Sequence, residues 1–314
     1  MNTDGNTEVI RNSETSCNSE TTRNNETKYI LLELLAIAFL ATGGILVKVS
    51  ALSPVNTGFY RVLFSLPLLF PLAYRHLNQL HKKDILILLL AGIFLAGDIS
   101  LWNLSFHYTS VANANLLTNL TPFTVIPFSC FLFKERIPRY FLPGAVITLI
   151  GVFVLISGKA DPSGSNHFGD LLSLCASFFY AGFLLISYCL RNRISSSVIM
   201  FVSGFGSAAT LFFTANLVEG FQVPHGIEQL LPLLGLTLFL QVIGHNLLAH
   251  CQGKVNVNLS SVICLSQPAI ASVYAFFIFS ETMTAIEILG ILIIISGIYI
   301  VKAQYRFKPV SAEN

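Results

Sequence analysis

Two stretches of sequence decide the fold: TPFTVIPFSCFLFKERIPRYFLPGAVITLIG at 121–151 and QPAIASVYAFFIFSETMTAIEILGILIIISG at 267–297. A shift of 146 residues superposes them and aligns four identical pairs, namely Pro122 with Pro268, Glu135 with Glu281, Gly144 with Gly290 and Gly151 with Gly297. Proline, glutamate and glycine matches at one fixed spacing indicate an internal duplication. The sequence therefore predicts two copies of one structural unit.

The amino-acid composition excludes an ordinary soluble domain. Of the 314 residues, 54% are hydrophobic and 11% are charged, whereas a soluble domain carries about 25% charged residues. The 18 basic residues barely exceed the 16 acidic ones, so we expect no nucleic acid as a partner. The six cysteines are scattered without metal-ligand or redox spacing, which predicts free thiols and no metal site. The expected surroundings are a lipid bilayer.

Apolar runs of membrane-spanning length, about 20 residues each, alternate with short polar connections. They predict an all-α polytopic membrane protein whose ten transmembrane helices lie at 29–49, 55–74, 84–105, 108–133, 140–158, 170–190, 197–218, 229–250, 257–280 and 285–303. The duplication divides these helices into a first five-helix repeat (29–158) and a second (170–305), joined by an external loop (159–169). Because five is odd, the second copy enters from the opposite side, and such inverted repeats are typical of secondary transporters.

The orientation follows from lysine and arginine, which accumulate on cytoplasmic segments. Fifteen basic residues lie on the tails and connections of one side, and two lie on the other. Both termini are therefore expected in the cytoplasm, and the protein in the inner (plasma) membrane. The tail 1–28 is rich in Asn, Thr, Glu and Ser and is predicted to be disordered; the second cytoplasmic tail is 306–314.

A carboxylate within a predicted span is a candidate for function, because it costs roughly 2.5 to 3.5 kcal/mol to insert. Asp98 of the third helix shares one helical face with Trp102 and Ser105. This face fits a cavity wall with an acidic anchor and an aromatic platform for a cationic or zwitterionic solute. The alternative is a structural carboxylate bonded to a neighbouring helix.

Two other charged residues of the first helices need an explanation. Arg61, midway along the second helix, is expected to form a structural or gating ion pair. Pairing with Asp98, binding of a substrate carboxylate and snorkelling towards water remain open for it. Glu33, near one end of the first helix, is expected at the membrane interface.

Amide and imidazole side chains extend the candidate cavity. Asn115 and Asn119 recur one turn apart on the fourth helix, where they either bind an uncharged substrate group or hold helices together. Gln241 and His245 share a face of the eighth helix, and His245 is either a proton carrier or a neutral hydrogen-bonded residue. Gln267 occupies the ninth helix.

The superposed prolines and glutamates receive structural or gating roles. Pro122 and Pro268 each free a backbone carbonyl one turn earlier, which marks either a compliant gating point or a static kink. Glu135 and Glu281 end the fourth and ninth helices, and both are predicted to cap the next helix through its N-terminal dipole.

Catalytic motifs are missing from the sequence. His245 and His250 are five residues apart, a spacing that does not fit the HExxH zinc motif, and no glycine-rich phosphate loop is present. We therefore expect neither an enzyme nor a cofactor.

The runs GDISLWNLSFHYTSVANANLLTNLTPF (97–123), FLFKERI (131–137) and LSQPAIASVYAFFIFSETMT (265–284) closely resemble the EamA family of the drug/metabolite transporter superfamily. The resemblance implies a permease whose third, fourth, eighth and ninth helices line a central cavity.

We expect a secondary transporter that moves a small organic metabolite, amino-acid-like, zwitterionic or cationic, by alternating access. Efflux of hydrophobic cations or drugs and a non-transporting membrane sensor are the alternatives. The oligomeric state, monomer or homodimer, stays open.

Overall fold

The computed structural model describes residues 27–78, 80–105, 108–109, 111–134, 137–157, 167–191, 193–252, 254–279 and 283–305. Within these ranges, every element of regular secondary structure is helical, as the apolar runs predict. Glu135, Glu281, most of the predicted loop 159–169 and nearly all of both predicted tails lie outside the described residues.

The helices follow one another as α1 (27–41), α2 (Gly43–Val49), α3 (Pro54–Leu77), α4 (Lys82–Ser105), α5 (Val111–Thr118), α6 (Thr121–Phe133), α7 (Phe141–Ser157), α8 (His167–Arg191), α9 (Ser196–Val218), α10 (Ile227–Gly235), a π-helical segment (Leu236–His245), α11 (Asn246–Gln252), α12 (Val257–Cys264), α13 (Gln267–Phe279) and α14 (Ala285–Tyr305).

Seven helical stretches of the described residues are long and apolar enough to cross a membrane: Lys82–Ser105, Leu116–Phe133, His167–Arg191, Ser196–Val218, Ile227–Gln252, Val257–Ile278 and Ala285–Ala303. The other predicted spans coincide with α1 and α2, with α3 and with the shorter apolar helix α7. The chain is thus a multi-span membrane protein, and the count of ten spans stays a prediction.

The outer surface of the bundle carries many large apolar side chains. Phe131 and Phe277, which the 146-residue shift superposes, are 83% and 75% exposed, whereas Phe141 and Phe183 are buried in the interior. Large apolar side chains on an outer surface are stable against lipid and costly against water. The helices therefore present a surface suited to a bilayer.

The first predicted span is divided into α1 and α2 at residue 42, and the fourth and ninth predicted spans are interrupted at matching positions of the two copies. The fourth span turns at 119–120 and the ninth at 265–266, positions that the 146-residue shift superposes. Each turn ends two residues before a proline, Pro122 or Pro268. Proline lacks the N–H that would bond the carbonyl one turn earlier, so each span is corrected to two shorter helices.

The helices α7 and α14 cross at the four superposed glycines. A Cβ atom on Gly144 would lie 3.2 Å from the carbonyl oxygen of Gly297, and one on Gly151 would lie 3.0 Å from that of Gly290. The backbones approach this closely because glycine has no side chain. The contacts are crosswise, since the first glycine of one copy meets the second glycine of the other, as in a contact across a two-fold axis.

The segment Leu236–His245 is wound as a π-helix. The side chain of its last residue, His245, contacts the backbone of the same segment: Nδ1 lies 3.0 Å from the carbonyl oxygen of Leu240. π-Helical turns are rare and frequently occur at functional sites. Here the segment forms part of the wall of the central cavity.

At the end of the bundle rich in lysine and arginine, α4 is tied to the connection between α8 and α9. The guanidinium of Arg193 donates to Asp84 at 2.6 Å. The carboxylate of Asp84 is 5% exposed, so this ion pair is better shielded than a fully exposed one.

At the opposite end, Glu219 ties the residue after α9 to the start of α3. Its carboxylate accepts hydrogen bonds from Ser53 Oγ at 2.5 Å and from the backbone N–H of Val55 at 3.1 Å. Gln222 adds a bond from the backbone N–H of Ser53 at 2.9 Å. The carboxylate supplies the acceptor that the first N–H groups of α3 otherwise lack.

Candidate substrate cavity

A cavity of about 660 Å³ lies in the middle of the bundle. Seven of the residues predicted for substrate binding or gating line it: Arg61, Asp98, Trp102, Asn119, His245, Gln267 and Pro268. The wall includes α4, the fourth span at its break (Thr118 and Asn119), the π-helical segment and α13, which belong to the four spans that the resemblance implies. Residues of α1, α2, α3 and α8 complete it.

Arg61 and Asp98 bring opposite charges to the same cavity. Arg61 projects from the first half of α3, is 8% exposed, and its Nε atom has no hydrogen-bond partner among the described residues. Asp98 projects from the second half of α4, and the two charges interact electrostatically. Within the described part of the chain, however, no N···O contact within 4.0 Å joins them. Each charge is therefore available to a third group.

Aromatic side chains form another part of the wall. Trp102 lies one helical turn after Asp98 on α4, and Tyr180 of α8 faces the same cavity. Tyr180 is not among the predicted site residues, because it stands in the run SFFYAGF, whose aromatic side chains are equally suited to contact lipid. The structure places Tyr180 inside the bundle by packing α8 against α4.

Polar groups near the charges complete the site. Thr57 and Asn103 line the cavity, and the Asn103 Nδ2 group donates to the carbonyl of Pro54 at 3.0 Å. Asn103 Oδ1 has no partner among the residues that the structure describes. Asn103 is not among the predicted site residues, because it lies off the helical face that Asp98 shares with Trp102.

His245 has one ring nitrogen engaged within its own segment. Its Nδ1 atom lies 3.0 Å from the carbonyl of Leu240, and its ring meets Phe183 edge-on at 6.2 Å. A carbonyl only accepts, so Nδ1 carries the hydrogen in this arrangement. The other ring nitrogen is left for a partner in the cavity.

Several predicted residues lie away from the cavity wall. Ser105 is buried and donates to the carbonyl of Trp102 at 2.6 Å. Gln241 is 1% exposed, and both polar atoms of its amide lack a partner among the described residues. Pro122 is buried at the start of α6, and the side chain of Asn115 lies outside the described part of the structure.

Glu33 is placed differently from the expectation of a membrane-interface residue. Its side chain is 0% exposed, and Ser260 Oγ of α12 donates to its Oε1 atom. The expectation relied on distance from the end of the first span alone. The structure corrects it, because α12 covers the face of α1 that carries Glu33.

The described residues hold no group of three or more His, Cys, Asp or Glu side chains placed to bind a metal ion.

The EamA-like transporter family matches this chain twice, at residues 27–157 and 167–303. The family resemblance read from the motifs is thereby confirmed, and each match covers one of the two predicted repeats. A solved crystal structure covering 90% of this chain and 100% of its own has a TM-score of 0.76 at 18% sequence identity, so the two share a fold.

Curated relatives are transporters. An uncharacterized transporter of Bacillus subtilis is 29% identical over 248 residues, which are 75% of this chain and 74% of the relative. An uncharacterized transporter of Clostridium kluyveri is 26% identical over 271 residues, 82% of this chain and 86% of the relative. A Salmonella typhimurium protein named "Probable amino-acid metabolite efflux pump" is 23% identical over 204 residues, 62% of this chain and 68% of the relative.

Proposed function

The chain belongs to the EamA-like transporter family, and we propose that it moves a zwitterionic, amino-acid-like solute across the inner membrane by alternating access. In this proposal both termini face the cytoplasm, the solute occupies the central cavity, and no cofactor takes part.

The observation that carries the proposal is the separation of Arg61 from Asp98 on one cavity wall. An unpaired charge buried in a protein costs several kcal/mol. A solute with an ammonium group against Asp98 and a carboxylate against Arg61 compensates both charges at once. A cation alone would leave Arg61 uncompensated, and an anion alone would leave Asp98 uncompensated.

The size and lining of the cavity support a small organic solute. Its volume of about 660 Å³ lies within the range of about 300 to 1,000 Å³ that is usual for small-molecule sites. Trp102 and Tyr180 offer aromatic faces, which attract ammonium groups. Asn119 and Gln267 offer amides that fix the orientation of polar groups.

Alternating access is supported by the duplication and by the crosswise glycine contact. Two copies that enter from opposite sides exchange their conformations when a carrier turns from one face to the other. The helix breaks before Pro122 and Pro268 are superposed in the two copies, and they lie where the cavity wall passes from one helix to the next. Such breaks supply the compliance that a rocking motion needs.

The relatives support the substrate class. Two of them, from Salmonella typhimurium and Escherichia coli, carry the name of an amino-acid metabolite efflux pump. This name agrees with the solute chemistry that the two opposite charges favour.

The proposal is tested by exchange transport in proteoliposomes. Vesicles are loaded with a panel of unlabelled amino acids, and uptake of each labelled one is measured for the wild type, Asp98→Asn and Arg61→Gln. Each variant should lose most of the uptake, while Glu228→Gln, which removes an exposed carboxylate at the start of α10, should retain it.

The methyl ester and the N-acetyl derivative of the transported amino acid separate the two contacts. The ester lacks the carboxylate. It should inhibit uptake of the labelled amino acid by the wild type as weakly as the unlabelled amino acid inhibits uptake by Arg61→Gln. The N-acetyl derivative should show the same relation to Asp98→Asn. Uptake of hydrophobic cations without any amino acid would favour drug efflux instead, and no uptake of either class would favour a sensor.

A further inference from the structure

Glu33 forms a second buried polar site in the bundle, separate from the cavity wall. Its carboxyl group is fully buried, and Ser260 Oγ of α12 donates to Oε1. The other oxygen, Oε2, has no hydrogen-bond partner among the described residues. The transport proposal assigns no role to this group.

Apolar side chains surround Glu33. It lies about 10 Å along α1 from Leu40 of the cavity wall, at a rise of ~1.5 Å per residue, on the side of the end rich in lysine and arginine. Ile30, Ile37 and Val262 are buried in the apolar cluster that includes the neighbouring turns of α1 and α12.

The titratable side chains that interact with Glu33 in the described residues are neutral or negative, so none of them supplies a countercharge. Tyr180 of α8, Cys251 of α11 and Cys264 of α12 are near enough to interact with its charge. Arg191 at the end of α8 interacts with Cys251 and donates to the carbonyl of His250 at 2.7 and 3.2 Å. In the part of the chain that is described, Glu33 has no ion-pair partner within 4.0 Å.

A buried carboxylate without a countercharge is strongly disfavoured, and such groups neutralise instead. The two other candidates for proton binding are more constrained. Asp98 differs from Glu33 because it lines the cavity and shares it with the positive charge of Arg61. The positive charge of Arg61 acts on His245 as well, and it opposes a second positive charge on the imidazole ring.

We propose that Glu33 is the proton-binding site of this carrier: it holds a proton in the conformation described here and releases it to water when α1 and α12 separate. The proposal rests on the alternating access proposed above. The bound proton favours the closed arrangement of α1 and α12. A lower pH on the face to which the site opens therefore favours this conformation, and a higher pH favours the opened one.

The test uses the purified full-length chain in lipid, without any solute. Infrared difference spectra at neutral pH, in H₂O and D₂O, detect the C=O stretching band of a protonated carboxyl. The wild type should show this band, Glu33→Gln should lack it, and Asp98→Asn should retain it. Ser260→Ala keeps the carboxyl and should shift the band, because it removes one hydrogen bond.

A wild-type band that persists in Glu33→Gln, or one that is lost in Asp98→Asn instead, would overturn the proposal. If Glu33→Gln does not fold, the spectrum of Ser260→Ala decides, because an unshifted band would place the proton elsewhere. None of these spectra depends on transport, so a failed search for the solute leaves this result standing.

A second measurement connects the site to the cycle once the transported amino acid is known. Accumulation of that amino acid driven by an imposed pH gradient, with the membrane potential clamped, should disappear in Glu33→Gln. Exchange of labelled for unlabelled amino acid should continue in the same vesicles. Unchanged gradient-driven accumulation in Glu33→Gln would refute the role in coupling.

Discussion

Replacing Gly151 by alanine tests the crossing of α7 and α14, where glycines of the two copies meet. The added Cβ atom would lie 2.7 Å from the backbone nitrogen of Ile294 and 3.0 Å from the carbonyl oxygen of Gly290. Ordinary van der Waals contact begins near 3.4 Å, so the distance from the added Cβ atom to the Ile294 nitrogen is about 0.7 Å too short. Both obstacles are backbone atoms, which cannot rotate away as a side chain can.

The expected magnitude combines two opposing effects. Inserting a methyl group into a packed contact costs about 1 to 3 kcal/mol, while alanine in place of a helical glycine gains up to about 1 kcal/mol. The net expectation for Gly151→Ala is a loss of roughly 0 to 2 kcal/mol in the free energy of unfolding, which is about 1 to 3 kcal/mol below a variant that has the helical gain alone.

Gly235→Ala is the matched control. A Cβ atom on Gly235 would meet only the side-chain carbons of Leu46, at 3.4 Å, so this variant keeps the helical gain without the clash. The assay is equilibrium unfolding of both variants in mixed micelles with increasing dodecyl sulfate, followed by circular dichroism. Equal stabilities of Gly151→Ala and Gly235→Ala would refute the close crossing of α7 and α14.

Three further changes have defined outcomes. Glu219→Gln should lower the free energy of unfolding by about 1 to 3 kcal/mol, because an amide turns a donor towards the N–H groups that Glu219 accepts at the start of α3; the same unfolding assay measures it, and Glu228→Gln should show no such loss. His245→Gln should keep gradient-driven accumulation wherever it keeps solute exchange if Glu33 binds the proton, and loss of accumulation with exchange retained would assign the proton to His245 instead. Single cysteines placed in 159–169 should react with an impermeant thiol reagent outside intact cells, whereas cysteines placed in either tail should not; the reverse pattern would invert the proposed topology.

The duplication could be predicted from the sequence because its identical pairs include proline and glycine, whose structural effects are specific. Proline and glycine fix helix ends and close contacts by their own geometry, so their spacing carries structural information without any neighbour. At Pro122 and Pro268 the sequence predicts a compliant gating point or a static kink and not a full break. It shows the missing N–H, and it does not show how far neighbouring helices let the chain turn.

The cavity wall could be predicted at the residues whose side chains are unfavourable inside a membrane. Asp98 and Arg61 stand out from composition alone, since a charge in a span needs a partner or water. Tyr180 does not stand out, because an aromatic residue is stable against lipid and against a cavity alike. Glu33 was misplaced for a related reason: burial near a helix end depends on which other helix covers it, and the chain brings Ser260 there from 227 residues away.

The two ties at opposite ends of the bundle bear on which helices travel together. Glu219 fastens the residue after α9 to α3 at one end, and Arg193 fastens the α8–α9 connection to α4 at the other. Each tie joins a helix of the first copy to a segment of the second. In the transport cycle proposed above, we therefore expect α3, α4, α8 and α9, two helices from each copy, to move as one body, so that the rigid bodies differ from the two duplicated halves of the chain.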